Sequence, residues 1–198
     1  MPRVSQEHRD QRRQQILTAA RRCFVREGFH QTSMADILAE AHLSAGAVYG
    51  HFNSKNDIIA AIAEDVIGQI SQLLEPIVTQ EPTPSIEEAV LQVLTATNEM
   101  AFGEDAFASL APQVWAEALR NDALGEVFRR KYVGIQQLIA QLVTAEQNNG
   151  RVAPTVAPDE IAKVLLSVIM GYILQRLLVG NVEPESYAAG LAAIGRPG

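Results

Sequence analysis

The chain has 198 residues, 47% of them hydrophobic and 6% aromatic, with a formal charge of −7. That is enough apolar material for a sizeable core in one or two domains. It excludes a disordered chain, and the few aromatics suit helices better than a β-sandwich. The acidic total would argue against a polyanionic partner, but the charge is uneven: 8 Lys/Arg face 5 Asp/Glu up to Lys55, and 8 face 18 beyond it. All four histidines (His8, His30, His42, His51) also lie in the first part, so the end fit for a phosphate surface is the N-terminal one.

Residues before Arg9 read as a flexible arm. From Arg9 to Glu27, Ile16, Leu17, Ala20 and Phe24 recur among Arg12, Arg13, Arg21, Arg22 and Arg26, and Gly28 stands where a left-handed stop belongs. This predicts an amphipathic helix with a basic outer face, either merely solvated or with one or two arginines reaching phosphates. Cys23 is the only cysteine, so there is no intrachain disulfide. It reads as a small apolar side chain in a reducing cytoplasm. The N-terminus lacks an apolar signal core, and the longest apolar run, Val164 to Leu174, is short for a bilayer; the expectation is a soluble, cytoplasmic protein without a membrane partner.

Ser33, three residues before Asp36, predicts a capped helix start, and Ile37, Leu38 and Ala41 give that helix a narrow apolar stripe. Ser44 caps a second helix carrying Val48 and Phe52 four apart. About three residues separate the two, which forces a steep crossing and leaves the outer face of the second helix open to a major groove. Ser54-Lys55-Asn56-Asp57 opens a long helix with Ile58, Ile59, Ile62, Val66, Ile70, Leu73 and Leu74 on one side. Pro76, Pro82 and Pro84 break the pattern, and Ser85-Ile86-Glu87-Glu88 restarts a helix to about Gly103. Pro112 starts a short helix through Trp115 and Leu119. Asp122 opens a longer one ending at Asn148-Asn149-Gly150, Pro158 opens the most apolar one, to Gly180, and Pro184 to about Ile194 gives the last. No strand alternation competes, so the fold class is all-α with about nine helices.

The run Thr32-Ser33-Met34, Asp36-Ile37, then Leu43-Ser44-Ala45-Gly46-Ala47-Val48-Tyr49, His51-Phe52 and Ser54-Lys55 resembles the N-terminal domain of TetR-like bacterial transcription regulators. The resemblance implies a helix-turn-helix DNA-binding domain over 1–55 and a helical ligand-binding and dimerisation domain over 56–198. It implies a homodimeric repressor on a palindromic double-stranded DNA operator, released by a small apolar or amphipathic inducer, with the helix from Lys55 to Leu74 as the lever. It also implies phosphate contacts from Ser33, Ser44, Tyr49, His51 and Lys55. Helix starts and a cation suit anions, but Ser33 and Ser44 would be caps with or without DNA.

Two departures from that pattern bear on function. Ala45, Gly46, Ala47 and Gly50 form the outer face of the second helix, and none can offer a base a bidentate hydrogen bond. Discrimination is therefore expected from close backbone approach, from Met34 and Ala35 in the major groove, and from Arg3 of the arm in a minor groove. His42 occupies a turn position where the family usually has glycine, and reads as a tolerated positive-φ residue.

Met100, Phe107, Trp115, Phe128, Tyr132, Met170 and Gln175 are the candidate inducer-site residues, an aromatic and methionine set that suits an apolar ligand as well as a core. Ser167, Gly171, Ala188, Ala189, Ala192 and Ala193, on the last two helices, are the candidate dimer surface. His8, Cys23, His30, His42 and His51 match no compact metal spacing, and no catalytic motif or phosphate loop occurs, so neither metal, cofactor nor enzymatic activity is expected.

Overall fold

The computed structural model describes residues 6–103 and 108–195. Among them are nine helices and no strand: α1 (Gln6–Glu27), α2 (Met34–Ala41), α3 (Ala45–Tyr49), α4 (Lys55–Val78), α5 (Ile86–Phe102), α6 (Leu110–Ala118), α7 (Asp122–Asn148), α8 (Pro158–Val179) and α9 (Pro184–Gly195). The all-α class is as expected, and most boundaries follow from local chemistry. Gly28 (φ +83°) ends α1 and Gly150 (φ +73°) follows α7, in the left-handed region that costs glycine least. Ser33 and Asp36 form a reciprocal capping box, as do Ser85 and Glu88. His42 takes φ +53°, the left-handed turn conformation expected of it.

Two prolines behave differently from expectation. Pro76 does not break α4, which continues to Val78. A proline there removes one amide donor and crowds the carbonyl one turn back, and only two residues of helix follow it. Pro112 lies in the first turn of α6 rather than at its start, where the missing N–H is one of the donors that have no helical partner anyway.

The chain forms two compact units. One unit joins residues 6–65 with Ser109–Val127; the other comprises residues 66–103, 108 and 128–195. In the first, Ile16, Leu17 and Phe24 of α1 are buried with Ile37, Val48, Ile58, Ile59 and Ile62. Each such side chain contributes about 1.5–3 kcal/mol on burial. In the second unit α5 packs against α8 and α9, with Leu94, Ile135, Val143 and Tyr172 at most 1% exposed. The Tyr172 hydroxyl donates to Asn98 Oδ1 at 3.0 Å. Glu146, 1% exposed, accepts from Arg151 Nε at 3.0 Å, and Arg151 Nη2 donates to the Thr83 carbonyl at 2.8 Å, which ties the α7–α8 loop to the segment before α5.

By length and composition α8 could cross a bilayer, contrary to the expectation drawn from Val164–Leu174. The helix is longer than that run because Ile161, Ala162 and Leu177–Val179 extend it at both ends. Leu165, Leu166, Ile169, Tyr172 and Ile173 are nonetheless buried in the helix's own unit.

Candidate nucleic-acid interface

Val48 (0% exposed) and Phe52 (5%) anchor α3 to the core of its unit, which turns the opposite side of this short helix outward. Ala45, Gly46, Tyr49 and Gly50 are exposed there, and Ala47 and His51 are half-buried. Tyr49 is 48% exposed, so it belongs to the surface and not to the core. Gly50 has an ordinary right-handed φ of −71°. Its missing side chain is therefore no demand of the backbone, although a Cβ would meet the Gly46 carbonyl oxygen at 3.2 Å. On α2, Ala35 is exposed and Met34 half-buried.

The two cap serines differ. Ser44 Oγ accepts from the Ala47 amide at 3.4 Å, and among the described residues its hydroxyl proton has no acceptor. Ser33 Oγ accepts from the Asp36 amide at 3.2 Å and donates to Asp36 Oδ2 at 2.6 Å. The Ser33 hydroxyl and amide hold the Asp36 carboxyl below its ordinary range. Of the two, Ser44 retains a donor for a phosphate oxygen.

Lys55, expected at a phosphate, has partners within its own unit. Its Nζ donates to the carbonyls of Phe29 at 2.5 Å, Thr32 at 2.8 Å and His30 at 3.4 Å, and stands 4.5 Å from the centre of the Phe29 ring. An ammonium has three donors, and all three are engaged by the turn that precedes α2. The same turn is held from α6: the Phe29 amide donates to Gln113 Oε1 at 2.8 Å, and His30 Nε2 lies 3.4 Å from Glu117 Oε1. Gln113 and Glu117 were not among the expected residues. They lie more than eighty positions from their partners, and nothing local in the sequence marks the pairing.

Residues 16–62 match the family model described as bacterial regulatory proteins, tetR family, and residues 82–194 match that described as BetI-type transcriptional repressor, C-terminal. The chain belongs to the TetR family of transcription regulators. It is similar to the HTH-type transcriptional regulator UidR of Escherichia coli (strain K12), 30% identical over 183 residues that cover 92% of this chain and 90% of that one. It is 28% identical over 166 residues to the HTH-type nicotine-responsive transcriptional repressor HdnoR of Paenarthrobacter nicotinovorans, covering 83% and 82%. Salmonella enterica GusR shares the fold, with a TM-score of 0.81 at 24% identity over 98% of this chain and 97% of that one. The protein is thus a TetR-family DNA-binding transcription regulator, a role that is not enzymatic.

The remaining expected positions of this regulator divide unevenly. Arg3 and Phe107 lie outside the described residues. Phe128 (9% exposed) stacks on half-buried Tyr132 with ring centres 5.6 Å apart, and Met100 and Met170 are half-buried. Trp115 belongs to the other compact unit. Gln175 is exposed on α8 beside Leu174. An apolar cavity of about 20 Å³, room for about one water-sized sphere, lies among Leu74, Ile77, Val90, Leu142 and Ile169, and none of the expected ligand residues lines it. Of the dimer candidates, Ser167, Ala189 and Ala193 are exposed, and Gly171 and Ala192 half-buried. Ala188, at 4% exposed, packs into the core of its own unit and is not part of an open surface.

Proposed function

We propose that this regulator is a homodimeric, cytoplasmic repressor that binds a palindromic operator and is released by a small apolar or amphipathic inducer held in the helical domain beyond residue 55. The observation that carries the dimer is the exposed face of α8 and α9. Val164 (60% exposed), Leu174 (38%), Leu178 (76%) and Val179 (75%) lie on α8, and Ile194 (85%) on α9, with Ser167, Ala189 and Ala193 among them. On α8, Val164, Ser167, Gly171, Leu174 and Leu178 follow the 3–4 residue step of one helical face. A contiguous apolar face of this kind fits a second copy of itself, as two-fold pairing requires. Two reading helices about 34–36 Å apart then meet successive major grooves.

Ser44, Tyr49 and His51 supply the phosphate-facing groups, with Ala45, Gly46, Ala47, Gly50, Met34 and Ala35 toward the bases and Arg3 toward a minor groove. Lys55 and Ser33 act behind them by fixing the turn and the start of α2. The inducer reading is supported by the half-buried Met100, Tyr132 and Met170 next to Phe128, and by the nicotine response in the name of its relative HdnoR. Footprinting of the purified protein on DNA flanking its own coding region, together with sedimentation, tests the reading. A symmetric footprint from a dimer is the expected result. A monomer at micromolar concentration, or no protection at low salt, overturns it.

A further inference from the structure

The arginines of α1 fall into two groups. Arg21 pairs with Asp65, Arg22 lies 4.0 Å from Glu40, and Arg26 meets Glu27 at 3.0 Å and Glu40 at 3.2 Å. Arg9, Arg12 and Arg13 meet no carboxylate at ion-pair distance among the described residues; Arg12 Nη1 donates only to the neutral Gln15 Oε1, at 2.8 Å. Their positions, i, i+3 and i+4, place all three on one face of the helix. That face is located by Arg13, whose guanidinium stands 5.5 Å from the centre of the Phe52 ring, directly after His51. The C-terminal half of α1 is therefore neutralised within the unit, and the N-terminal half brings three unmatched guanidiniums to the end of α3.

We propose that Arg9, Arg12 and Arg13, with the His51 imidazole, form a clamp for the phosphate backbone of duplex DNA outside the helix-turn-helix pair. Guanidiniums match phosphate oxygens in pairs of hydrogen bonds, and the positive end of α1 adds to their field. His51 registers that field. Its pKa is held below the ordinary value by burial first, and then by Arg9, Arg13 and Arg12, with Asp10 opposing them. Asp10 is itself bonded to Gln6 Nε2 at 3.2 Å. A clamp at this position supplies the cationic contact that Lys55 does not, and leaves the small side chains of α3 free to approach the bases. The inference rests on the DNA-binding role of the family, and the test separates the two.

The full-length protein is titrated into a fluorescein-labelled mixed-sequence duplex over a series of salt concentrations, and the slope of log K against log[salt] is read. Each phosphate contact adds about 0.9 to that slope. The triple variant Arg9→Gln/Arg12→Gln/Arg13→Gln is expected to lose about 2–3 units of slope. Arg22→Gln, which removes one unit of charge from the paired half, is expected to leave the slope unchanged, where a single phosphate contact would cost about 0.9. Since Arg13 packs on Phe52, Arg9→Gln/Arg12→Gln carries the test by itself if the triple variant fails to fold, with an expected loss of about 1–2 units. A slope unaltered in the double variant, or lowered equally by Arg22→Gln, overturns the clamp. Absence of duplex binding by the wild-type chain at low salt overturns the DNA-binding reading itself.

Discussion

The two compact units leave opposite kinds of surface open. The unit containing α1 to α3 presents small side chains, a hydroxyl and unmatched guanidiniums around a short helix whose Val48 is completely buried. The unit containing α8 and α9 presents Val164, Leu178, Val179 and Ile194. In the first, the cationic groups nearest the reading helices are already sorted: Lys55 is taken by three carbonyls, and Arg9, Arg12 and Arg13 are not. In the second, Glu146 is buried and paired with the exposed Arg151, and the apolar face is outward. A charged partner suits the one and a copy of the same chain suits the other. Which charge is available cannot be judged from the number of lysines and arginines alone.

The largest effect that can break this contrast lies on the apolar side. Val164→Glu/Leu178→Glu places carboxylates on the exposed α8 face without entering the core. Sedimentation is expected to show monomers, and affinity for an operator carrying two half-sites is expected to fall at least about a hundredfold, because both heads no longer bind as one. Retention of the dimer would move the interface elsewhere on the molecule.

Next in size is Lys55→Met. Removing three charge-assisted donors from the Phe29–Thr32 turn is expected to lower unfolding stability by about 1–3 kcal/mol, read from urea titration. The salt slope of DNA binding should stay within error of wild type, since no phosphate contact is lost. A drop of about 0.9 in the slope, with stability intact, would return Lys55 to the phosphate and erase the distinction between it and the α1 arginines.

Helix starts and stops were legible in the sequence because their causes are local: Ser33 with Asp36, Ser85 with Glu88, Pro158, and the glycines after α1 and α7 each act within a few residues. The helix-turn-helix was legible for the same reason. The destinations of long side chains were not. Lys55 reaches carbonyls 23 to 26 positions back, and Arg21 reaches an aspartate 44 positions on, so only the fold decides which cations remain unmatched. Helical phase was the other blind spot. Ala188 and Ala189 are adjacent and chemically identical, yet one is buried and one exposed, and Gln175 proved to share the outer side of α8 with Leu174.

A smaller effect tests the charged side through pH. The free-state pKa of His51 is depressed by burial and by Arg9, Arg13 and Arg12, with Asp10 opposing. A phosphate placed there favours the imidazolium, so binding takes up a proton. Affinity for duplex DNA should therefore rise as pH falls from about 7.5 through the ordinary histidine value of about 6.5, by at most about tenfold per unit, the limit for one proton. His51→Gln should remove most of that rise. Folding has the opposite sign: a depressed histidine contributes stability above its unfolded pKa that is lost as pH falls through the folded one.

The smallest effect concerns the turn that sets the angle between α2 and α3. His42 holds φ +53°, and its amide and that of Leu43 donate to Ala39 O at 3.1 Å and Leu38 O at 3.2 Å. Those bonds need only backbone, so His42→Gly keeps them. The left-handed conformation costs an L-residue roughly 1–2 kcal/mol, and the greater freedom of glycine in the unfolded chain offsets about 0.5–1 kcal/mol of the relief. A net stabilisation of about 0.5–1 kcal/mol is expected in the urea midpoint. The His42 side chain also borders a polar cleft with Arg26, Asp36, Ala39 and Glu40. Destabilisation by glycine would show that the imidazole's neighbours there outweigh the backbone strain, and that this turn is fixed by side-chain contacts and not by the α2 terminus alone.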